Sequence, residues 1–217
     1  MPTFSFLFTP VRRILTRALG LSFAATSTLV LGLGMFPAAP AQAALISSGA
    51  CNQATLTQPF LRWGDASAYE LVPGGNFEGS ISGWTLTGGA QRVAGSEPFG
   101  VSGSAGAFSL NLPRGSSAQS PFTCVNVSYP SFRLLAQNDS LLSSVLVQVV
   151  YQTPLGPVAV PVGATALSTS WRPTLPMLTA SIVGGVLANG TGQVALRFTA
   201  VTGSTRIDDV FIDPRMR

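Results

Sequence analysis

The chain has 217 residues with twelve arginines, eight carboxylates, no lysine and no histidine. Three of the arginines sit near the N-terminus, so residues 44–217 carry nine against eight acids and are close to neutral, without the clustered cations that nucleic-acid binding requires. Absent histidine removes the commonest general base and transition-metal ligand, which argues against serine hydrolases and paired-histidine zinc enzymes.

The first segment reads as a targeting signal. Arg12, Arg13 and Arg17 form a positive start, residues 18–36 carry no charge, and small residues lead to Ala41-Gln42-Ala43. These are the parts of a secretory signal peptide, with cleavage expected after Ala43. An uncleaved anchor is the rival reading, since the apolar run approaches the roughly 20 residues that cross a bilayer. The A-x-A site and the prolines at 37 and 40 favour cleavage, and Arg12-Arg13 leaves a twin-arginine route open. The expected organisation is a signal peptide over 1–43, an extended lead-in over 44–70 and a β-sandwich domain over 71–217. The expected location is secreted, extracellular or in the cell envelope, with no membrane attachment after cleavage. A chain rich in Ala, Gly and Arg but without Lys points to a GC-rich bacterial genome.

Cys51 and Cys124 are the two cysteines. In an exported protein an even count favours a disulfide. Closing a loop of about 73 residues would stabilise by roughly 4 kcal/mol in the chain-entropy account. Ser48-Gly49-Ala50-Cys51 also looks like a lipoprotein box, but it lies far beyond the apolar core, and lipidation would orphan Cys124.

Beyond the leader no long helical period occurs, and short runs alternate with Gly, Pro, Ser and Asn clusters. Strands are expected over 82–87, 89–94, 106–112 and 118–127, then through Phe132, Leu134 and Ala136. Val145, Val147, Val149 and Tyr151 share one face of the next strand. Strands over 156–162, 193–200 and 205–212 follow, with Val194, Leu196, Phe198 and Ala200 alternating against Gln193, Ala195, Arg197 and Thr199. Turn signals separate them at Pro73-Gly74-Gly75, Gly88-Gly89, Pro113-Arg114-Gly115, Asn138-Asp139, Pro154-Leu155-Gly156 and Asn189-Gly190. This pattern predicts an all-β antiparallel sandwich or barrel. Gly190-Thr191-Gly192 loosely matches a dinucleotide fingerprint, but a strand rather than a helix follows, so it reads as a hairpin turn. Asp65, Glu70, Glu78 and Glu97 fall in expected loops without the spacing of an acid and a nucleophile.

Two segments carry a family likeness: Pro73-Gly74-Gly75-Asn76-Phe77-Glu78-Gly79 with Gly83-Trp84, and Ile207-Asp208-Asp209-Val210. The layout resembles jelly-roll carbohydrate-binding modules of the galactose-binding-like superfamily, which open on such a Gly-Asn-Phe-Glu…Gly-Trp stretch and close on such a strand. The resemblance implies a two-sheet antiparallel jelly-roll sandwich. It also implies a structural calcium held by Glu78 and Asp208. Strand alternation places Asp208 with Val210 and Ile212, and Asp209 with Ile207 and Phe211, so either way a carboxylate stands beside apolar side chains and needs a partner. Calcium is one such partner, and arginine pairing or solvent is the other.

Phe77, Trp84 and Trp171 are expected in the core. Trp63, Tyr69 and Tyr151 are the candidate exposed aromatics for stacking on sugar rings, with Arg133, Gln148 and Arg197 as polar partners on wet strand faces. The leading functional expectation is a non-catalytic domain that binds polysaccharide or another cell-envelope glycan. A structural or adhesive protein that binds a protein partner is the alternative, and a glycoside-active enzyme comes third. No feature of the sequence speaks to oligomeric state.

Overall fold

A computed structural model of the chain describes residues 55–126, 131–153, 155–166, 168–179 and 191–213. The expected signal peptide, Cys51 and the Asn189-Gly190 turn lie outside the described residues. Among the described residues thirteen strands follow in chain order: β1 (Glu70–Leu71), β2 (Thr85–Thr87), β3 (Gln91–Ala94), β4 (Phe108–Leu112), β5 (Ser117–Gln119), β6 (Thr123–Asn126), β7 (Ser131–Asn138), β8 (Ser144–Thr153), β9 (Gly156–Ala166), β10 (Arg172–Pro173), β11 (Met177–Leu178), β12 (Thr191–Thr202) and β13 (Thr205–Asp213). The first sheet runs β10-β7-β13-β4-β3, with β1 on β13 and β11 on β7; the second runs β2-β5-β12-β8-β9, with β6 on β12. Consecutive β12 and β13 therefore lie in different sheets, as the jelly-roll architecture requires.

The core sits between the sheets and follows from strict alternation. Val145, Val147, Val149 and Tyr151 of β8 meet Val194, Leu196, Phe198 and Ala200 of β12, while Leu110, Leu112, Phe132, Leu134, Ala136, Ile207, Val210 and Ile212 come from the facing sheet. Trp84 closes one part of this core, 5.0 Å from the Phe77 ring and stacked 6.5 Å from Phe198. Its indole Nε1–H donates to the Pro73 carbonyl at 2.9 Å, so the opening motif ties its own tryptophan to its turn. Trp171, expected in the core, is instead half-buried and outside that cluster.

Three local departures from the expected pattern have physical causes. The expected strand over 118–127 splits into β5 and β6 because Pro121 cannot donate to a ladder. Ser120 bridges the gap, its N–H donating to the Leu196 carbonyl and its Oγ accepting from the Leu196 N–H, both at 2.9 Å. Strand β7 is buried on both faces from Phe132 to Ala136, because residues 55–69 fold over its outer side. That segment is a loop closed by a Thr57–Tyr69 bridge with a 3-10 turn at Leu61–Trp63. Strand β13 carries a bulge: its register against β7 jumps between Asp208 and Phe211, and Asp209 adopts a left-handed backbone with φ 47°. Asp208 thus stands opposite Leu135, and Phe211 opposite Arg133, both on the outer face, while Val210 and Ile212 point to the core. This corrects the simple alternation that grouped Asp208 with Val210 and Ile212 and Asp209 with Phe211.

Candidate functional site

The outer face of the second sheet carries a polar ladder. Directly opposed residues of neighbouring strands share a face, so the register puts Thr85, Gln119, Arg197 and Gln148 in one row across β2, β5, β12 and β8. A second row brings Thr87, Ser117 and Thr199 alongside. These seven side chains line an open groove of about 300 Å³. Gln119 Oε1 accepts from Arg197 Nε at 3.1 Å and from Nη2 at 2.8 Å, which fixes the guanidinium against the neighbouring strand. Thr199 Oγ1 donates to Ser117 Oγ at 3.3 Å. Among the described residues the lining is amide, hydroxyl and guanidinium, with no carboxylate and no aromatic ring. Such a surface offers donors and acceptors to a hydroxyl-rich ligand and holds no acid–base pair. Of this set the sequence pointed to Gln148 and Arg197. Thr85, Thr87, Ser117, Gln119 and Thr199 were missed, although the polar Ser117-x-Gln119 alternation beside buried Ala118 carried the signal.

The aromatic and arginine candidates fall elsewhere. Tyr69 and Tyr151 are each only 1% exposed, which corrects their assignment as exposed stacking platforms. Tyr151 faces the inter-sheet core and donates its hydroxyl to the Thr179 carbonyl. Tyr69 packs edge-on to Phe60 at 5.2 Å, and Phe60 in turn packs on Phe211 at 5.7 Å, forming a small second core over the first sheet. Arg133, expected on a wet face, is buried beneath the same loop. Its Nη1 pairs with Asp65 at 2.6 Å, its Nε donates to the Thr174 carbonyl at 2.8 Å, and its guanidinium lies 4.5 Å from the Phe60 ring centroid. Trp63 is half-buried in this loop, edge-on to Phe99 at 5.1 Å with the Arg62 guanidinium 5.1 Å from its ring. It does not line the polar groove.

The two motif carboxylates, 130 positions apart, share one neighbour: Asp208 accepts from Ser96 Oγ, and Ser96 and Glu78 both stand against Gly106. A Cβ on Gly106 would sit 2.6 Å from Ser96 Oγ and overlap the Glu78 carboxylate, so an added methyl there must displace one of these side chains. Glu78 Oε1 accepts the N–H groups of Ala107 and Phe108, each at 2.8 Å. Asp208 Oδ2 accepts Ser96 Oγ–H at 2.7 Å and the Glu97 N–H at 3.1 Å, and its Oδ1 accepts the Asp209 N–H at 2.9 Å. Asp208, Asp209 and Glu97 are all buried together, and burial pushes both aspartates well above the usual carboxylate range, with the Asp208 charge adding to the shift at Asp209. Asp209 Oδ1 is buried with no hydrogen-bond partner. Hard oxygen donors and an orphaned carboxylate oxygen fit a calcium ion in kind. As folded, however, no three such side chains among the described residues converge on one metal-sized centre. Arg92 instead takes up the carbonyls of Phe77 at 2.6 Å and Glu78 at 2.9 Å.

Among the described residues no cysteine is free, and Cys124 lies on β6 at the edge of the second sheet's ladder. No helix among the described residues is long and apolar enough to cross a membrane.

No family model and no curated protein matches the chain. Among solved structures, the tandem CBM22-1–CBM22-2 pair from Paenibacillus barcinonensis aligns at 14% identity over 70% of this chain, with a TM-score of 0.50. The single CBM22-1 xylan-binding domain from the same organism aligns at 14% identity over 65% of this chain, with a TM-score of 0.45. A CBM22-1–GH10 xylanase fragment from Clostridium thermocellum, crystallised with xylohexaose, aligns at 14% identity over 65%, with a TM-score of 0.48. This chain spans 47% of the tandem, 93% of the single module and 28% of the xylanase fragment. In fold, it is similar to jelly-roll carbohydrate-binding modules.

Proposed function

We propose that this protein binds a polysaccharide or cell-envelope glycan along the outer face of its second sheet, without cleaving it. The observation that carries the reading is the Thr85–Gln119–Arg197–Gln148 row, an open groove whose donors and acceptors are set by strand register. Its preformed geometry limits the ordering cost of binding. Carbohydrate-binding modules of similar fold, including one crystallised with β-1,4-galactotriose, make soluble xylan and galactan the first ligands to try. Affinity electrophoresis of the exported protein on such glycans, wild type against Arg197→Ala, tests the reading. Retardation that the substitution removes supports it. Product release abolished by a single carboxylate substitution contradicts the non-enzymatic part.

Three attributes belong to the same reading. The protein is exported, with a mature N-terminus at Ala44 that mass spectrometry reads. Cys51 and Cys124 form a disulfide. Glu78 and Asp208 hold a structural calcium. The rival, an adhesive envelope protein, draws on Leu141 and Leu142, 78% and 85% exposed side by side between β7 and β8. Capture of a defined protein with no glycan retained would favour it.

A further inference from the structure

We propose that the open end of the first sheet's outer face is a second saccharide site, one that takes a uronic acid residue through Arg206. It lies on the sheet opposite the proposed groove and does not depend on that reading. Residues 55–69 cover the half of this face around Phe211, and residues 95–107 cover Asp208 and Asp209. What remains open, beside the β12–β13 turn, is a cavity of about 560 Å³ lined by Asn111, Gln137, Asn138, Asp139, Thr169, Ser204 and Arg206. That volume falls in the range of small-ligand pockets.

The cavity is built by register. Arg206 stands directly opposite Asn111 on β4 and Gln137 on β7, so a guanidinium is flanked by an amide on each side. The flanking groups are already fixed: Asn111 Oδ1 accepts from Ser204 Oγ at 3.1 Å, and Gln137 Nε2 donates to the Thr169 carbonyl at 2.9 Å. This turns the Asn111 amide N–H groups and Gln137 Oε1 toward other uses. Asp139 at the far wall is held by Ser143 Oγ–H and by its own N–H to the Ser204 carbonyl at 3.0 Å. Gly203 lets that wall close: a Cβ there would lie 2.8 Å from Asp139 Oδ1.

Among the described arginines, Arg114 and Arg172 are exposed and, like Arg206, make no hydrogen bond or ion pair; Arg206 is the one of these three that is half-buried. Arg62, Arg92, Arg133 and Arg197 each donate to a carbonyl, amide or carboxylate oxygen. Arg206 is half-buried, yet it has no ion pair or hydrogen bond among the described residues. A guanidinium offers five donors in a planar fork matched to a carboxylate. A uronate places its carboxylate on Arg206 and its ring hydroxyls within reach of the flanking amides and Asp139. A neutral sugar would meet that guanidinium with hydroxyls alone.

Isothermal titration of the exported protein with α-1,4-linked trigalacturonate tests the site, with its methyl ester, neutral xylotriose, and sodium acetate and phosphate as comparison probes. Trigalacturonate is expected to bind at least about tenfold more tightly than its ester, with affinity falling as salt rises. Arg206→Gln should weaken trigalacturonate about tenfold or more, and Asn111→Asp, which sets a carboxylate beside Arg206, should do the same with Arg206 still present. Arg197→Gln should leave it unchanged. No binding of trigalacturonate, unchanged binding in both cavity variants, or loss in Arg197→Gln instead would overturn the proposal. So would acetate or phosphate competing at equal concentration, which would mark a small-anion site. Xylotriose binding that is lost in Arg197→Gln and kept in Arg206→Gln would speak for the groove alone, and failure there leaves the uronate result intact.

Discussion

Replacing Asp65 with alanine should release the loop that covers the first sheet. The substitution removes a 2.6 Å ion pair to Arg133, the 2.7 Å hydrogen bond from the Tyr69 hydroxyl and the 3.0 Å bond from the Ser67 N–H. Removing one partner of a buried ion pair costs about 3–5 kcal/mol when the remaining charge is stranded. Here Arg133 keeps the Thr174 carbonyl and the Phe60 ring face, and Asp65 retains some solvent contact, which brings the expected loss to about 2–3 kcal/mol. Urea unfolding followed by tryptophan fluorescence reads this as a midpoint lowered by about 1–1.5 M at a typical slope. The pH dependence gives an independent check. Burial alone would raise the Asp65 carboxyl, but the Ser67 N–H, the Tyr69 hydroxyl and Arg133 hold it down at about 2, against an ordinary 3.8. A carboxylate depressed in the native state gives stability that is present above its unfolded value and is lost as pH falls through its folded value. Wild type should therefore lose stability between about pH 4 and about pH 2 that Asp65→Asn does not lose. A cost below about 0.5 kcal/mol, with parallel pH profiles, would refute the idea that this contact fastens the loop.

Gly106→Ala should destabilise by about 2 kcal/mol or more in thermal melts, because its Cβ has no room between Ser96 Oγ and Glu78; an unchanged melting temperature would show that this junction is slack. Chelator should lower the melting temperature of the wild type, and Asp208→Asn should abolish that sensitivity, whereas a chelator-indifferent wild type removes the calcium site and leaves the fold standing. Non-reducing peptide mapping should link Cys51 to Cys124, and Cys124→Ser should cost about 2–5 kcal/mol; two reactive thiols in the native protein would contradict the pairing.

The sandwich was legible where one face of a strand is wet. In β12 the alternation of Val194, Leu196 and Phe198 with Gln193, Arg197 and Thr199, and in β8 that of Val147 and Tyr151 with Gln148 and Gln152, mark both the strand and its inward side. That same alternation placed Tyr151 in line with Val145, Val147 and Val149, so its burial followed from the pattern, and assigning it to a ligand set the pattern aside. Tyr69 and Arg133 were unreadable for another reason. A local loop buries them on the outer face of the first sheet, and its docking through Phe60 and Phe211 depends on contacts distant in sequence. The bulge at Asp209 was likewise hidden, since a left-handed aspartate leaves no mark on hydrophobic periodicity. That Glu78 and Asp208 share Ser96 as a neighbour follows from the whole topology and from no local rule. The polar groove was half legible: Arg197 and Gln148 showed as the wet face of two long strands, while β2 and β5 are too short to announce their partners.

Titration of the purified protein with soluble xylan and galactan oligosaccharides, wild type beside Arg197→Gln, tests the central claim most directly. The account predicts saturable binding by the wild type to at least one neutral glycan, weakened at least about tenfold in the variant, with unfolding midpoints that coincide. Equal binding by the two proteins, or binding lost only through Arg206→Gln, would contradict the placing of the glycan on the Thr85–Gln119–Arg197–Gln148 row.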